Sequence, residues 1–282
     1  MRDLAGKVAV VTGGGSGIGR GIALGLAAEK MSVAIADLRI DAAEAVAVEI
    51  GERGGRALAV HVDVTAVESL ESAAKQVQAE FGDTHLLCAN AGVLARIAPL
   101  DAHTLDDWEY TLSVNVLGIV KTVNAFLPQL RKNAPEAHIV NTASLGGLMS
   151  TEGFPIGAYI TSKYACVGYS EMLRAELAAE DIGVSVLCPG VVESDLVTTS
   201  TQNRPDGFGD QAAPSFSPGA ATSGGSPPQA MAAEDVGPIV VKAVRENRLH
   251  VLTHPESRPL VERRFQRIMD DYDFAAKQKA NR

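Results

Sequence analysis

The chain has 282 residues, of which 46% are hydrophobic and 21% charged, values that are ordinary for a soluble globular protein and exclude wholesale disorder. Its formal net charge of −9 opposes binding to phosphate backbones, so we expect no nucleic-acid partner. The sequence has neither a signal-like segment nor a long apolar run, which predicts no membrane partner and a cytoplasmic location. Three cysteines without CxxC spacing predict free thiols, and the histidines lack the spacing of a metal site, so we expect no bound metal.

Strand-like and helix-like segments alternate along most of the chain. Short β-branched apolar runs are typical of buried parallel strands, and they occur at 8–11, 33–36, 58–62, 85–89, 139–142, 184–187 and 250–253. Helical periodicity is found at 18–29, 41–54, 67–81, 105–130, 159–179, from 234 onwards and at 259–276. Asp41 is predicted to cap the second helix. The alternation predicts an α/β fold, a Rossmann-type doubly wound parallel sheet flanked by helices, with ligand beyond the carboxyl ends of its strands.

Two segments lie outside this alternation. Residues 198–232 are rich in Gly, Pro, Ser and Ala and have little hydrophobic periodicity, which is typical of a functional lid or of a linker. Residues 255–282 are predicted to form a helical C-terminal extension. One apolar stripe of that helix contains Val261, Phe265, Ile268, Met269 and Tyr272.

A glycine-rich turn follows the first strand, with the sequence TGGGSGIG at 12–19. Strand, turn and helix occur in the order of a phosphate-binding loop, in which glycines allow a pyrophosphate to approach the helix N-terminus. A plain glycine turn is the alternative. Asp37 ends the second strand, where a carboxylate would hold the adenosine ribose and repel a 2′-phosphate, which predicts NAD in preference to NADP. Arg39 is close enough in sequence to attract such a phosphate instead.

Tyr159 and Lys163 are four residues apart on a predicted helix and therefore share one face. A free phenol ionises only near pH ~10, and an adjacent ammonium favours the phenolate form that a general base requires. The pair alone is weak evidence, because two such residues often lie on a solvated surface.

Together with further motifs, these residues resemble the short-chain dehydrogenase/reductase family. The turn at 12–19 matches its TGxxxGxG pattern, and Tyr159 and Lys163 match its YxxxK motif. The remaining matches occur in the family's order and are Asp63-Val64, the NAG motif at 90–92, Asn115, Ser144 and Pro189-Gly190. The resemblance implies one oxidoreductase domain over residues 1–282, with 198–232 as its substrate lid.

The resemblance also implies a mechanism. Tyr159 would exchange the alcohol proton and Ser144 would hold the substrate oxygen. Lys163 would bind the nicotinamide ribose, and Asn115 would hold a water that links Lys163 to solvent. The residues implied to bind NAD are Gly13, Ser16, Gly17, Ile18, Gly19, Asp37, Leu38, Asp63, Val64, Asn90, Ala91, Gly92, Tyr159, Lys163, Pro189, Gly190, Val192 and Ser194.

The sequence gives less information about the substrate. The spacing from Ser144 to Tyr159 is longer than usual in the family, and Ser194 replaces the usual threonine. Apolar residues predicted near the cleft mouth favour a bulky apolar or aromatic secondary alcohol or ketone, as in the similar bacterial dehydrogenases of lignin-fragment alcohols. These residues are Leu94, Ile97, Leu145, Leu148, Met149, Phe154, Phe208 and Phe216.

Two other functions remain open. A 3-oxoacyl-carrier-protein reductase would need a basic docking surface, for which Arg131, Lys132 and Arg174 are candidates. A non-catalytic dinucleotide sensor would not need Tyr159 and Lys163. The family implies a homotetramer or homodimer, for which Val116, Ile119, Val120 and Val123 offer apolar faces.

Overall fold

A computed structural model describes residues 1–94, 96–150, 154–208 and 230–280. Its strands are β1 (Val8–Thr12), β2 (Ser32–Asp37), β3 (Arg56–His61), β4 (Leu86–Ala89), β5 (His138–Thr142), β6 (Gly183–Cys188) and β7 (His250–Leu252). Its α-helices are α1 (Gly17–Ala28), α2 (Ile40–Glu52), α3 (Val67–Phe81), α4 (Leu105–Leu112), α5 (Ile119–Lys132), α6 (Gly157–Leu177), α7 (Leu196–Gln202), α8 (Ala233–Arg245) and α9 (Arg258–Ala280).

The strands form one parallel sheet in the order β3-β2-β1-β4-β5-β6-β7, which confirms the predicted fold class. Strand order reverses beside β1, whose two neighbours β2 and β4 lead to helices on opposite faces of the sheet. The loops after these strands therefore diverge and leave a crevice at their carboxyl ends, which is where open α/β sheets bind ligands.

Both faces of the sheet are covered, because the central strands are apolar on both sides. On one face, residues such as Val10 and Ile139 pack against α3, α5 and α6, with Phe126 of α5 almost completely buried. On the other face, Val11 and Ile35 pack against α1, α2 and α8. The sheet is thus the rigid middle layer that fixes the positions of the loops at its edge.

Two predicted helices differ in detail from the structure. The helix predicted over 105–130 is interrupted by a π-helical segment, Ser113–Gly118, between α4 and α5. The prediction that Asp41 caps α2 is wrong. Arg39 is the N-cap residue. Asp41 lies inside the first turn, where its negative charge interacts favourably with the positive end of the helix dipole.

The continuous stretch from Leu105 to Lys132 is long and apolar enough to cross a membrane by length and composition. The apolar character of this stretch is explained by its burial in the core of the protein. Ile119, Val123, Phe126 and Leu130 are buried against the sheet, as expected for a core helix.

The predicted lid is only partly a loop. Within the described residues it begins with α7 and a short 3₁₀ turn, Asp206–Phe208, while residues 209–229 lie outside the described part of the chain. A buried ion pair fixes this beginning to α4, since Nη1 of Arg204 donates to Oδ1 of Asp107 at 2.9 Å. The Tyr110 hydroxyl also donates to the Ser200 carbonyl. These contacts hold the start of the lid in a defined position.

Asp107 is the centre of this attachment. It completes a capping box with Thr104, and its other oxygen faces Arg96 at 3.3 Å. Burial disfavours its ionised form, but the hydrogen bonds from Thr104 and Arg204 outweigh burial and lower the pKa of Asp107. Such a carboxylate stabilises the fold above its unfolded pKa, and this contribution is lost as pH falls through the folded pKa.

We predict that Asp107→Ala lowers the free energy of unfolding by about 3–5 kcal/mol at neutral pH, because the buried Arg204 loses this partner. The difference from wild type should shrink as pH falls below about 4, because the carboxylate then protonates first in the unfolded chain and only at lower pH in the folded protein. Urea unfolding followed by circular dichroism measures both effects. Asp106→Ala, an exposed change in the same helical turn, is the control and should cost less than about 1 kcal/mol; equal losses in the two variants would contradict the prediction.

Candidate active site

A cleft of about 770 Å³ lies at the carboxyl ends of the strands, above the point where strand order reverses. All of the residues that the sequence implied for cofactor binding line this cleft. Three of the four catalytic candidates, Ser144, Tyr159 and Lys163, line it as well. The fold therefore brings together residues that are more than 150 positions apart in the sequence.

The glycine turn shapes one wall of this cleft. Gly13 and Gly17 have positive φ angles of 62° and 47°, which side chains other than glycine rarely adopt. A Cβ at Gly19 would lie 1.9 Å from the Gly13 carbonyl oxygen, so the turn cannot be built with larger residues. The N-cap residue of α1, Ser16, makes no side-chain capping bond. The first amides of α1 thus remain available to an anion, which the dipole of the helix also attracts.

Asp37 is fixed at the end of β2. Its Oδ2 accepts a hydrogen bond from the Gly15 amide at 2.9 Å, and its Oδ1 accepts one from the Arg39 amide at 3.0 Å. The carboxylate therefore lies beside the glycine turn and faces the cleft. Arg39 lines the same wall, and its buried Nε has no hydrogen-bond partner. One wall thus presents a fixed negative group and a cation with unused hydrogen-bonding capacity.

Thr12 has a structural role that sequence reasoning did not assign to it. Its Oγ1 accepts hydrogen bonds from the amides of Asn90 and Ala91 at 2.9 and 3.2 Å. In return, Nδ2 of Asn90 donates to the carbonyls of Thr12 and Gly13. These four bonds tie the loop after β1 to the loop after β4. The only signal for this role was the threonine that opens the TGxxxGxG pattern.

Asp63 lines the cleft just after β3, the strand that pairs with β2. Its Oδ1 accepts from both the amide and the hydroxyl of Thr65, at 2.8 and 2.7 Å, which holds the turn in shape. Val64 and Thr65 also line the cleft. This part of the predicted cofactor site is therefore a turn whose own hydrogen bonds fix its backbone.

Tyr159 and Lys163 share one face of α6, as their spacing predicted. Nζ of Lys163 lies 5.4 Å from the centre of the Tyr159 ring and donates to the Thr142 carbonyl at 3.0 Å. Lys163 is 3% exposed, and no carboxylate in the described ranges forms an ion pair with it. A buried ammonium needs oxygen partners, so this group is suited to hydroxyls of a ligand and to an ionised phenol.

Ser144 follows β5 and begins a short 3₁₀ turn. Its hydroxyl accepts from the Gly146 amide at 3.1 Å, which leaves the hydroxyl hydrogen free to point elsewhere. The Leu145 amide donates to the Pro189 carbonyl at 2.8 Å and so joins this turn to the loop after β6. The Ser144 hydroxyl is thereby held at the cleft wall as a donor.

Asn115 is completely buried and does not line the cleft. Its amide group exchanges two hydrogen bonds with the backbone of Val93, at 2.7 and 2.9 Å, and donates a third to Ser162. The Asn115 carbonyl accepts from the Cys166 thiol. The π-helical segment thus places this side chain between the loop after β4 and α6, where it acts as a brace. Its expected role in holding a water stays a prediction.

The part of the cleft where the substrate is predicted to bind, here called the substrate end, is lined by apolar side chains. Among the predicted residues, Leu94, Leu145, Met149, Phe154 and Phe208 line it. Ile97 packs behind Leu94, and Leu148 lines a neighbouring groove, so these two do not lie at the cleft itself. Phe216 and residues 151–153 of the enlarged loop are outside the described residues.

The C-terminal extension also reaches the cleft, which the sequence did not predict. Its residues Glu256, Ser257 and Leu260 line the cleft, together with His254 just before it. The Gly190 amide donates to Thr253 at 3.1 Å and to Nδ1 of His254 at 3.3 Å. No local motif marks these residues, because only the pairing of β6 with β7 brings them beside Pro189 and Gly190.

Cys88, Cys166 and Cys188 are free and buried, in agreement with the predicted free thiols. Burial raises the pKa of the Cys88 thiol to about 12, so it stays protonated at neutral pH. In the described residues no group of three or more His, Cys, Asp or Glu side chains could hold a metal ion.

Comparison with known proteins agrees with this geometry. The family model for short chain dehydrogenases matches residues 7–205. A CLA biosynthesis dehydrogenase/reductase of Lactiplantibacillus plantarum is 34% identical over 96% of this chain and 96% of its own length. A C alpha-dehydrogenase of a Sphingobium species is 29% identical over 96% of this chain and 88% of its own.

A solved structure shows the same similarity. A short chain dehydrogenase/reductase from Burkholderia phymatum in complex with NAD is 33% identical and has a TM-score of 0.86, with 96% of this chain and 97% of that one covered. The matched range 7–205 includes β1 to β6 and the face of α6 that carries Tyr159 and Lys163. The family that the motifs resembled is thus confirmed, and the chain belongs to the short-chain dehydrogenases/reductases, a family of oxidoreductases.

Proposed function

We propose that the protein interconverts a secondary alcohol and a ketone with NAD, and that the substrate is bulky and apolar or aromatic. The observation that carries the proposal is the buried Lys163 ammonium beside Tyr159 in a cleft that also holds Ser144 and the glycine turn.

A cytoplasmic location and a homotetrameric or homodimeric assembly belong to the same proposal. Ile119 and Val123 face the core, so an interface on α5 would have to use other residues.

The residues of the cleft fit a nicotinamide dinucleotide. The glycine turn leaves space that a Cβ would fill, and the open amides of α1 suit a pyrophosphate. Asp37 would accept hydrogen bonds from the adenosine ribose, and Lys163 would donate to the nicotinamide ribose. When bound, the nicotinamide supplies the site of hydride transfer.

In the proposed reaction, side chains of the protein orient the substrate and transfer the proton. Ser144 donates its hydroxyl hydrogen to the substrate oxygen and so orients the carbinol carbon. Tyr159 takes the proton from the alcohol in oxidation and returns it to the ketone in reduction. The Lys163 ammonium stabilises the phenolate oxygen electrostatically. Asn115 holds the loop after β4 against α6, which keeps the wall of the cleft in place.

The charged surface disfavours the carrier-protein alternative. Arg131 forms a two-pronged ion pair with Glu180, and Lys132 faces Asp83 at 3.2 Å. Arg174 donates to the carbonyls of Val184 and Asn247. Cations engaged in this way offer little to an acidic protein, whereas the apolar substrate end suits a small apolar molecule.

We predict that Tyr159→Phe lowers kcat for secondary alcohols by about 10²–10⁴-fold, because no group remains to take the proton. Its affinity for NADH, measured by fluorescence titration, should stay within about twofold of wild type, since the lost hydroxyl is needed for proton transfer. Tyr164→Phe removes a hydroxyl from the same helix outside the cleft and should retain wild-type turnover. Unchanged turnover in Tyr159→Phe would disprove the mechanism.

For cofactor choice, we predict that Asp37→Ala raises kcat/KM for NADP by about tenfold or more, because the charge that repels a 2′-phosphate is gone and Arg39 can attract it. The double variant Asp37→Ala with Arg39→Ala should lose most of that gain. Initial rates with NAD and NADP, compared across the three proteins, measure both effects. A wild-type protein that already prefers NADP would contradict the proposed role of Asp37.

A further inference from the structure

A second groove of about 750 Å³ lies beside the cleft, between the turn after Ser144 and the C-terminal extension. It is not a separate site. Leu145, His254 and Ser257 line both the groove and the cleft, so the two spaces adjoin at these residues. The groove therefore borders the part of the cleft that these three residues line.

The groove is predominantly apolar, and large side chains in it are exposed. Phe265 is 52% exposed and Met269 is 55% exposed, although both are hydrophobic residues of α9. Leu252, on the opposite side, is 47% exposed. The other apolar residues of the lining are Leu145, Leu148, Pro255, Pro259 and Val261. A groove of this composition gains free energy when apolar surface covers it.

The residues shared by the groove and the cleft lie next to Ser144, the proposed donor to the substrate oxygen. Leu145 follows Ser144 directly and is bonded through its amide to the Pro189 carbonyl. His254 packs against Gly190, where a Cβ would come within 2.6 Å of its ring. The arm of a molecule that contacts the Ser144 hydroxyl would therefore pass Leu145 and His254 on its way to the groove.

We propose that this groove receives an extended apolar arm of the substrate, attached to the carbon that carries the reacting oxygen. The inference rests on the proposed function and adds to it a class of substrate, namely alcohols and ketones with an alkyl or aryl arm too long for the cleft. Continuity with the cleft identifies the occupant, because a second copy of the chain would cover α9 without reaching past Leu145 and His254.

The first test measures kcat/KM for linear secondary alcohols from four to twelve carbons. Each added methylene that enters the groove should raise kcat/KM by about threefold until the groove is filled. A parallel series with an aryl group at the end of the arm distinguishes alkyl from aromatic occupants. A flat response in both series would overturn the inference.

The second test uses matched variants of α9. Met269→Lys places a charge in the groove and should lower the ratio of kcat/KM between the longest and shortest alcohols by at least about tenfold. Tyr272→Lys changes a residue on the same helix that is 68% exposed and does not line the groove, and it should leave this ratio within about twofold. Equal changes for all substrates, together with a changed oligomeric state on size exclusion, would show a subunit interface and overturn the inference.

A binding measurement separates this inference from the proposed function. Calorimetric titration with undecan-2-one, in the presence of NADH, should show binding to wild type and to Tyr272→Lys, with at least about tenfold weaker binding to Met269→Lys. Such a pattern without turnover of any alcohol would support the groove and refute the proposed reaction. Turnover with equal ketone affinity in all three proteins would support the reaction and refute the groove.

Discussion

An ammonium group removed from water is costly unless oxygen atoms surround it, and Lys163 is held in that condition. Its side chain is almost completely buried and its Nζ is 3.0 Å from the Thr142 carbonyl, which uses one of three donor hydrogens. Nζ also lies 5.4 Å from the centre of the Tyr159 ring. In the proposed reaction, ligand hydroxyls and a phenolate oxygen would complete its coordination, so binding and proton transfer would both relieve the same unfavourable burial.

The rest of the site keeps this group and its neighbours in fixed relative positions. Asn115 connects the loop after β4 to α6, and Thr12 connects that loop to the glycine turn. Asn115 bonds to the backbone of Val93 and to the Ser162 hydroxyl, whereas Thr12 bonds to the backbone amides of Asn90 and Ala91. Since the sheet fixes the strand ends, a few hydrogen bonds between adjacent loops are sufficient to assemble the cleft.

Much of this architecture could be predicted from the sequence, because buried parallel strands and glycine turns have strong local signals. The strands, the family and the residues of the cleft followed from short motifs in order. The π-helical segment at Asn115 could not be foreseen, because its register depends on contacts with Val93 and Ser162 from other elements. Asp41 was assigned as a cap from residue type alone, whereas the N-cap of α2 is Arg39, two residues earlier.

The C-terminal residues that line the cleft were also not predicted, because their position too depends on contacts with other elements. His254 lies far along the sequence from Pro189 and Gly190, and only the parallel pairing of β6 with β7 places them side by side. Long-range pairing of this kind leaves no periodicity or motif at either residue. By contrast, Asp37 was recognised because its role depends on the strand and turn immediately before it.

The substrate end is bounded by two late segments that are attached to different parts of the sheet. The start of the lid is fixed to α4 through Asp107 and Arg204, whereas the tail is fixed to the loop after β6 through Thr253 and His254. Neither attachment involves Tyr159 or Lys163. Changes in either segment can therefore reshape the adjoining part of the cleft while Tyr159 and Lys163 keep their geometry, which in the proposed reaction would allow one centre to take different alcohols.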